Sequence, residues 1–189
     1  MRSVIFVMEA EKKAQTDWIY IQETIKRFYE ADNETSIRPI FMGGRSNYNS
    51  KPVLRSIREL KRGNSKATTV IYCIDTDRYE SNYEQGKELK DITDYCNSNG
   101  YELIWFCHDI EEVYVGESIN SSDKTKTANS FRKSKKIEEV GELQLNRMDY
   151  ASKVSNILRV LDQVFTRKKV RFKSRCLMPD RANAWCHHE

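Results

Sequence analysis

Three hydrophobic runs in this 189-residue chain lead directly into carboxylates: VIFVM into Glu9, TTVIYCI into Asp75 and Asp77, and LIWFC into Asp109, Glu111 and Glu112. Short apolar runs of this kind read as buried strands of a parallel sheet, and ligands bind in the crevice outside the carboxyl ends of such strands. The acids are therefore expected to converge on one site. Carboxylates held within a few ångströms repel one another unless a cation neutralises them, and an all-oxygen donor set suits Mg²⁺ or Mn²⁺. Positions two apart in an extended segment share a face. Asp75 and Asp77 can thus offer two carboxylates to one metal, or one to each of two, with Glu9 facing them.

The elements that must position these acids are legible as alternating periods. Ser3 to Met8 reads as a strand, followed over Ala14 to Ala31 by a helix whose Trp18, Ile21, Ile25 and Phe28 form one apolar stripe. Ile37 to Met42 is a second strand closed by Gly43-Gly44, and Lys51 to Lys61 a helix with Val53, Leu54, Ile57 and Leu60 on one face. Ala67 to Ile74 and Tyr101 to Cys107 are the third and fourth strands, separated by a helix over Tyr83 to Cys96 and the turn Asn99-Gly100. This predicts an α/β fold, a three-layer sandwich with a four-stranded, mostly parallel sheet, plus a C-terminal helical extension.

The expected organisation is an α/β domain over residues 1–117, a flexible loop over 118–133, and a helical extension with a basic tail over 134–189. A short helix or turn is expected at Glu111 to Val115. Ser118 to Ser130 has no hydrophobic period and reads as a mobile loop. Ile137 to Phe165 has a helical period long enough for two helices, or for one with an irregularity near Asn146. Its apolar face must cover the sheet, a second copy of the chain or a partner protein.

A Glu after the first strand followed by Asp-x-Asp after a later one resembles the TOPRIM domain of topoisomerases, primases and nucleases. FVMEAEKKAQTDWIYIQ is similar to the opening of RloB-type and related defence-associated TOPRIM-like proteins, IYCIDTD to their second motif and FCHDIEEVY to their third. By that register Glu112, two places before Tyr114, matches the third acid, with Glu111 the alternative. The chain departs from the pattern at Ala10, where TOPRIM proteins usually have Gly, and at His108-Asp109, where an Asn-Pro often stands.

The resemblance implies Mg²⁺- or Mn²⁺-dependent cleavage of phosphodiester bonds in DNA or tRNA. Glu9, Asp75 and Asp77 would hold the metal, Glu9 would alternatively be the general base, and Glu112 would complete the catalytic set. It also implies an ATPase partner in bacterial anti-phage defence. A different class of reading is a non-catalytic α/β binding or sensor module that docks a partner.

Charge separates along the chain. Between Phe131 and Arg175 thirteen basic residues face five acidic ones, so that segment carries +8 while the whole chain carries +4 and the remainder −4. Clustered Lys and Arg gain affinity for a phosphate backbone by releasing counterions, so Arg167, Lys168, Lys169 and Arg171 are candidate nucleic-acid contacts, with a solvated helix face the competing reading. Lys12, Arg45 and His108, close to the strand ends, are further candidates. Gly43-Gly44-Arg45-Ser46 lacks the Gly-Lys-Ser/Thr ending of a P-loop, which argues against ATP hydrolysis by this chain.

The five cysteines are odd in number and scattered, as free thiols in a reducing compartment would be. Cys186-His187-His188 reads as a frayed end. No apolar stretch approaches the roughly 18 to 20 residues of a membrane span, so a cytoplasmic protein is expected.

Overall fold

The computed structural model describes residues 2–12, 15–62 and 68–169. Four strands, β1 (Arg2–Met8), β2 (Thr35–Phe41), β3 (Thr68–Asp75) and β4 (Glu102–Phe106), form one all-parallel sheet in the order β2-β1-β3-β4. β1 and β2 are joined by α1 (Thr16–Phe28), β2 and β3 by α2 (Lys51–Arg62), and β3 and β4 by α3 (Tyr83–Asn99). The chain steps outward from β1 in one direction and from β3 in the other. Strand order therefore reverses between β1 and β3, which is where a crevice opens beyond the strand ends of a doubly wound sheet.

Side chains on a strand alternate between its two faces, and here both faces are apolar. Val4, Phe6 and Met8 of β1 join Ile71, Cys73, Ile104 and Phe106 in the core beneath α1, whereas Ile5 and Val7 join Val70, Tyr72 and Ile74 against Val53 and Ile57 of α2 and Leu89 and Ile92 of α3. Five consecutive apolar residues in β1 are buried because neither face meets water. The result is the expected three-layer sandwich.

The C-terminal third departs from expectation in two ways. Residues 118–133, expected as a loop, contain α5 (Lys124–Lys133), which packs on α1 by burying Ala128 and Phe131, three positions apart on one face. Two buried residues suffice because Phe131 meets Tyr20 and Tyr114 edge-on at 5.0 and 5.8 Å.

The second departure concerns Ile137 to Phe165, which does not form long helices. It folds as a 3₁₀ turn (Lys136–Glu139), α6 (Glu142–Leu145) and α7 (Ile157–Leu161), and it joins the same core as β1 through Ile137, Val140, Leu145, Ile157, Leu158, Leu161 and Phe165. Between α6 and α7 the chain turns back along the outer edge of β4. There Asn156 accepts from Trp105 N at 2.9 Å and donates to Leu103 O at 2.8 Å. Asn156 takes the place of a neighbouring strand and closes an edge that would otherwise present free backbone groups. Α single core thus spans the expected domain boundary.

Candidate active site

Beyond the ends of β1 and β3 the structure gathers more acids than the strand ends alone supply. The connection after β2 is set by Gly43 and Gly44, whose φ values of 65° and 119° favour glycine. Gly44 N donates to Glu9 O at 2.9 Å. This brings Arg45 inward. Its buried guanidinium meets Asp77 Oδ2 and Asp75 O, both at 3.0 Å, and Glu88 Oε2 at 2.8 Å. Arg45 is thus a fixed internal cation of the site, with its Nε and NH1 donors already committed to protein acceptors.

Glu9 and Asp75 meet directly: Glu9 Oε2 lies 3.4 Å from Asp75 N, and Asp75 Oδ1 accepts from Ile110 N at 3.0 Å. The Asp-x-Asp is not extended. β3 ends at Asp75, and Asp77 takes a left-handed φ of 49° that turns its carboxylate to Arg45 while its N–H donates to His108 O at 2.8 Å. Asp tolerates this conformation better than most residues.

Two further acids complete the group. Asp17, in the first turn of α1, accepts from Thr16 Oγ1 at 3.1 Å and lies close enough to Glu9, Asp75 and Glu111 to repel each. Glu111, on α4 (Ile110–Val115), is fully buried, and its Oε2 accepts from Lys124 Nζ of α5 at 2.8 Å. Its Oε1 is buried with no hydrogen-bond partner among the described residues.

Glu112 does not join this group. One residue along a helix rotates the side chain by about 100°, and Glu112 faces Arg78 NH2 at 3.0 Å and His108 Nδ1 at 3.2 Å instead. Glu111 therefore takes the place expected of Glu112. Asp109 caps α4, accepting from Glu112 N at 2.7 Å.

The balance of charge shapes the chemistry. Five carboxylates, Glu9, Asp17, Asp75, Asp77 and Glu111, surround two cations, Arg45 and Lys124. Burial pushes the Glu9 carboxyl up to about 7, against the pull of Arg45 and with the help of Asp77 and Asp17. Burial likewise raises Asp75 well above the carboxylate range, reinforced by Glu9, Asp17 and Glu111, and raises Asp17 and Glu111 in the same direction. Burial opposes the charge on Lys124, but the hydrogen bond and charge of Glu111 outweigh it and hold the ammonium above the ordinary lysine range.

Hard oxygen donors, a surplus of negative charge and the unpartnered Glu111 Oε1 together fit a divalent cation. Asp75, Glu111 and Glu9 are the oxygens that would hold it, with Asp17 and Asp77 beside them; among the described residues no three of these carboxylates bring ligand oxygens within 4.8 Å of one another, so they would have to draw in around the ion.

The basic candidates are placed differently. Lys12 is exposed just beyond Glu9. His108 lies beside the group, with Nε2 3.0 Å from Glu80 and Nδ1 2.7 Å from Arg78. Arg167 and Lys168 sit at the other end of the sheet: α1 begins beside Glu9 and runs about 20 Å back before reaching them. There Lys168 N donates to Phe28 O at 2.8 Å. Arg167 is held by Asp162 and by Glu142 at 2.8 Å, over the rings of Phe28 and Tyr29.

A cleft of about 890 Å³ at that end is lined by Arg167, Lys168 and Lys169, but also by Glu23, Glu138, Glu142 and Asp162. None of the clustered carboxylates lines it. Arg171 and the Cys186-His187-His188 run lie outside the described residues.

Sequence reasoning missed Asp17, Lys124 and Arg78. Asp17 had a signal, an acid in the first turn of the helix that follows Glu9. Lys124 had none, since it reaches the site only through the packing of α5 on α1. Comparison with protein-family models, with curated proteins and with solved structures returns no match for this chain.

Proposed function

We propose that the chain is a Mg²⁺- or Mn²⁺-dependent nuclease of TOPRIM-like, RloB-related character that hydrolyses phosphodiester bonds in DNA or tRNA. The observation that carries this reading is the convergence of Glu9, Asp17, Asp75 and Glu111 from four different elements at the point where strand order reverses. Glu111 is fully buried and Glu9, Asp17 and Asp75 are half-buried, and so much shielded negative charge is costly unless a bound cation offsets it.

A divalent cation held by Asp75 and Glu111 would supply electrostatic stabilisation of the charge that builds on the phosphate. Glu9, with its carboxyl pushed up to about 7, is suited to take a proton from the attacking water near neutral pH. Arg45 is already pre-oriented by Asp77 and Glu88, and it holds Asp75 and Asp77 in register. Lys124 lends positive charge to the same region. Arg78, half exposed beside Asp77, and Lys12 are placed to meet substrate phosphates. An ATPase partner, a cytoplasmic setting and a role in anti-phage defence belong to the same reading through the RloB resemblance. Among the described residues no helix is long and apolar enough to cross a membrane.

The test is calorimetric titration of Mg²⁺ and Mn²⁺ into the wild type and Asp75→Asn, with cleavage of plasmid, single-stranded DNA and total tRNA followed in parallel. Metal binding and cleavage that both vanish in Asp75→Asn support the nuclease. A wild type that binds neither ion and cuts no substrate rejects it.

A further inference from the structure

A second set of metal-type donors lies on the other side of the connection that carries Asp77. Glu80, Cys107 and His108 offer one ligand atom each, and these atoms all lie within 4.8 Å of one another. We propose that they form a transition-metal site of zinc type, separate from the carboxylate cluster, that clasps the connection after β3 to the end of β4.

The donor chemistry selects the ion. A thiolate, an imidazole and a carboxylate suit Zn²⁺ or Co²⁺ far better than Mg²⁺, whereas the all-oxygen carboxylate cluster has the opposite preference. Three protein ligands leave a fourth position for solvent, and Glu80, with a side chain 48% exposed, forms the open side. Cys107 is fully buried and His108 is 14% exposed, so two of the three ligands are already fixed by packing. Their backbones are fixed too: Cys107 N donates to Val154 O at 3.0 Å, and Asp77 N donates to His108 O at 2.8 Å.

The supporting groups are also in place. His108 Nε2 faces Glu80 Oε1 at 3.0 Å, and on the far side of the ring Nδ1 lies 3.2 Å from Glu112 Oε2. A metal on Nε2 leaves the single ring proton on Nδ1, where it donates to Glu112; a carboxylate behind the ligating histidine orients the ring and strengthens it as a donor. Arg78, now 2.7 Å from Nδ1, must then swing away from the ring. Its side chain is 59% exposed and keeps a second tie to Glu112 Oε1 at 3.0 Å, so the movement stays at the surface.

Charge closes as well. The thiol proton of Cys107 leaves to solvent on binding, and thiolate, Glu80 and Glu112 together balance the dication and Arg78. Because binding releases the Cys107 thiol proton, affinity falls as pH is lowered.

The experiment uses the full chain with Cys176→Ser, Cys186→Ser, His187→Ala and His188→Ala, which removes the competing donors of the C-terminal region. Co²⁺ is titrated alone and followed by absorbance. The expected result is a thiolate-to-cobalt charge-transfer band with tetrahedral visible bands, saturating at one equivalent, displaced by Zn²⁺, insensitive to excess Mg²⁺ and retained in Asp75→Asn.

Cys107→Ser abolishes the band, and Glu80→Gln and His108→Gln each weaken Co²⁺ binding at least about tenfold. Absence of the band in the tail-substituted chain, or its survival in Cys107→Ser, overturns the proposal. Should Cys107→Ser fail to fold, undiminished affinity in both Glu80→Gln and His108→Gln overturns it equally. Because the readout is cobalt absorbance with Asp75→Asn as control, it is independent of nuclease activity.

Discussion

Lys124 Nζ lies 2.8 Å from Glu111 Oε2, with the other oxygen of the same carboxylate buried and unpaired among the described residues. The lysine is the one ammonium on α5 turned into the acid cluster, and it links α5 to α4 across the site. Without it Glu111 keeps its burial and loses its compensation.

Lys124→Met is therefore expected to destabilise the metal-free protein. Breaking a buried pair from one side costs about 3 to 5 kcal/mol, and the partial exposure of Lys124 reduces this to about 1 to 3 kcal/mol. A divalent cation that binds the cluster restores part of the loss, because it supplies the missing positive charge. Urea unfolding in chelator and in excess Mg²⁺ measures both effects. Equal destabilisation in the two conditions would contradict a cation site at Glu111.

The raised acids set a pH dependence. An unfolded Glu9 releases its proton near 4.5, whereas the folded one retains it to about 7. Over that interval the unfolded state has lost a proton that the native state still holds, so stability declines as pH rises from about 4.5 to about 7. Asp17, Asp75 and Glu111, all raised by burial, act in the same direction. In chelator the wild type should unfold at progressively lower urea across this range, and Glu9→Gln should show a shallower slope. Added Mg²⁺ should flatten the wild-type slope, since it favours the ionised carboxylates.

Glu111 and Glu112 separate cleanly by substitution. Glu111→Gln is expected to weaken Mn²⁺ binding at the carboxylate cluster by at least about tenfold. Glu112→Gln, whose carboxylate faces Arg78 and His108, should leave that Mn²⁺ affinity within about twofold. Calorimetry on the two variants decides the assignment, and the reverse order of effects would return the role to Glu112.

The difference between those two residues shows where the sequence stops being informative. β1 through β4 are legible because each is a run of apolar residues buried on both faces, and Glu9 and Asp75 are legible because they stand where such runs end. The choice between Glu111 and Glu112 depends on helix phase, which a six-residue helix does not reveal through any apolar period. α5 escapes detection because only Ala128 and Phe131 are buried among polar neighbours. The apolar period of Ile137 to Phe165 is real, yet short turns satisfy it, because Ser155 and Asn156 gain more from the backbone of β4 than from a helix. The basic count around Arg167 is likewise real, but Asp162 and Glu142 neutralise it locally.

Asn156 carries two hydrogen bonds to the edge of β4, to Trp105 N at 2.9 Å and Leu103 O at 2.8 Å. Asn156→Ala leaves both backbone groups without those partners, at a cost of about 1 to 3 kcal/mol. It also opens the outer strand of the sheet to pairing with another chain. Lower urea midpoints together with concentration-dependent aggregation on warming are the expected results. Unchanged stability would mean that the edge is covered by other contacts.

Arg167 is expected to act in stability and not in binding nucleic acid. Its guanidinium is shared between Asp162 and Glu142, lies over Phe28 and Tyr29, and sits at the end of α1 remote from Glu9. The hydrogen bond from Tyr29 Oη to Asp162 Oδ1 at 2.8 Å extends the same network into the core. Arg167→Met should therefore lower stability by about 1 kcal/mol, since the pair is only partly shielded from water. A phosphate contact would behave differently: its loss would weaken binding and make affinity less steeply dependent on salt. Fluorescence anisotropy of labelled tRNA and DNA with Arg167→Met, compared with Lys12→Met and Arg78→Met, separates the cases. The Lys12 and Arg78 variants should show the weaker binding and shallower salt slope, and Arg167→Met should match the wild type in both.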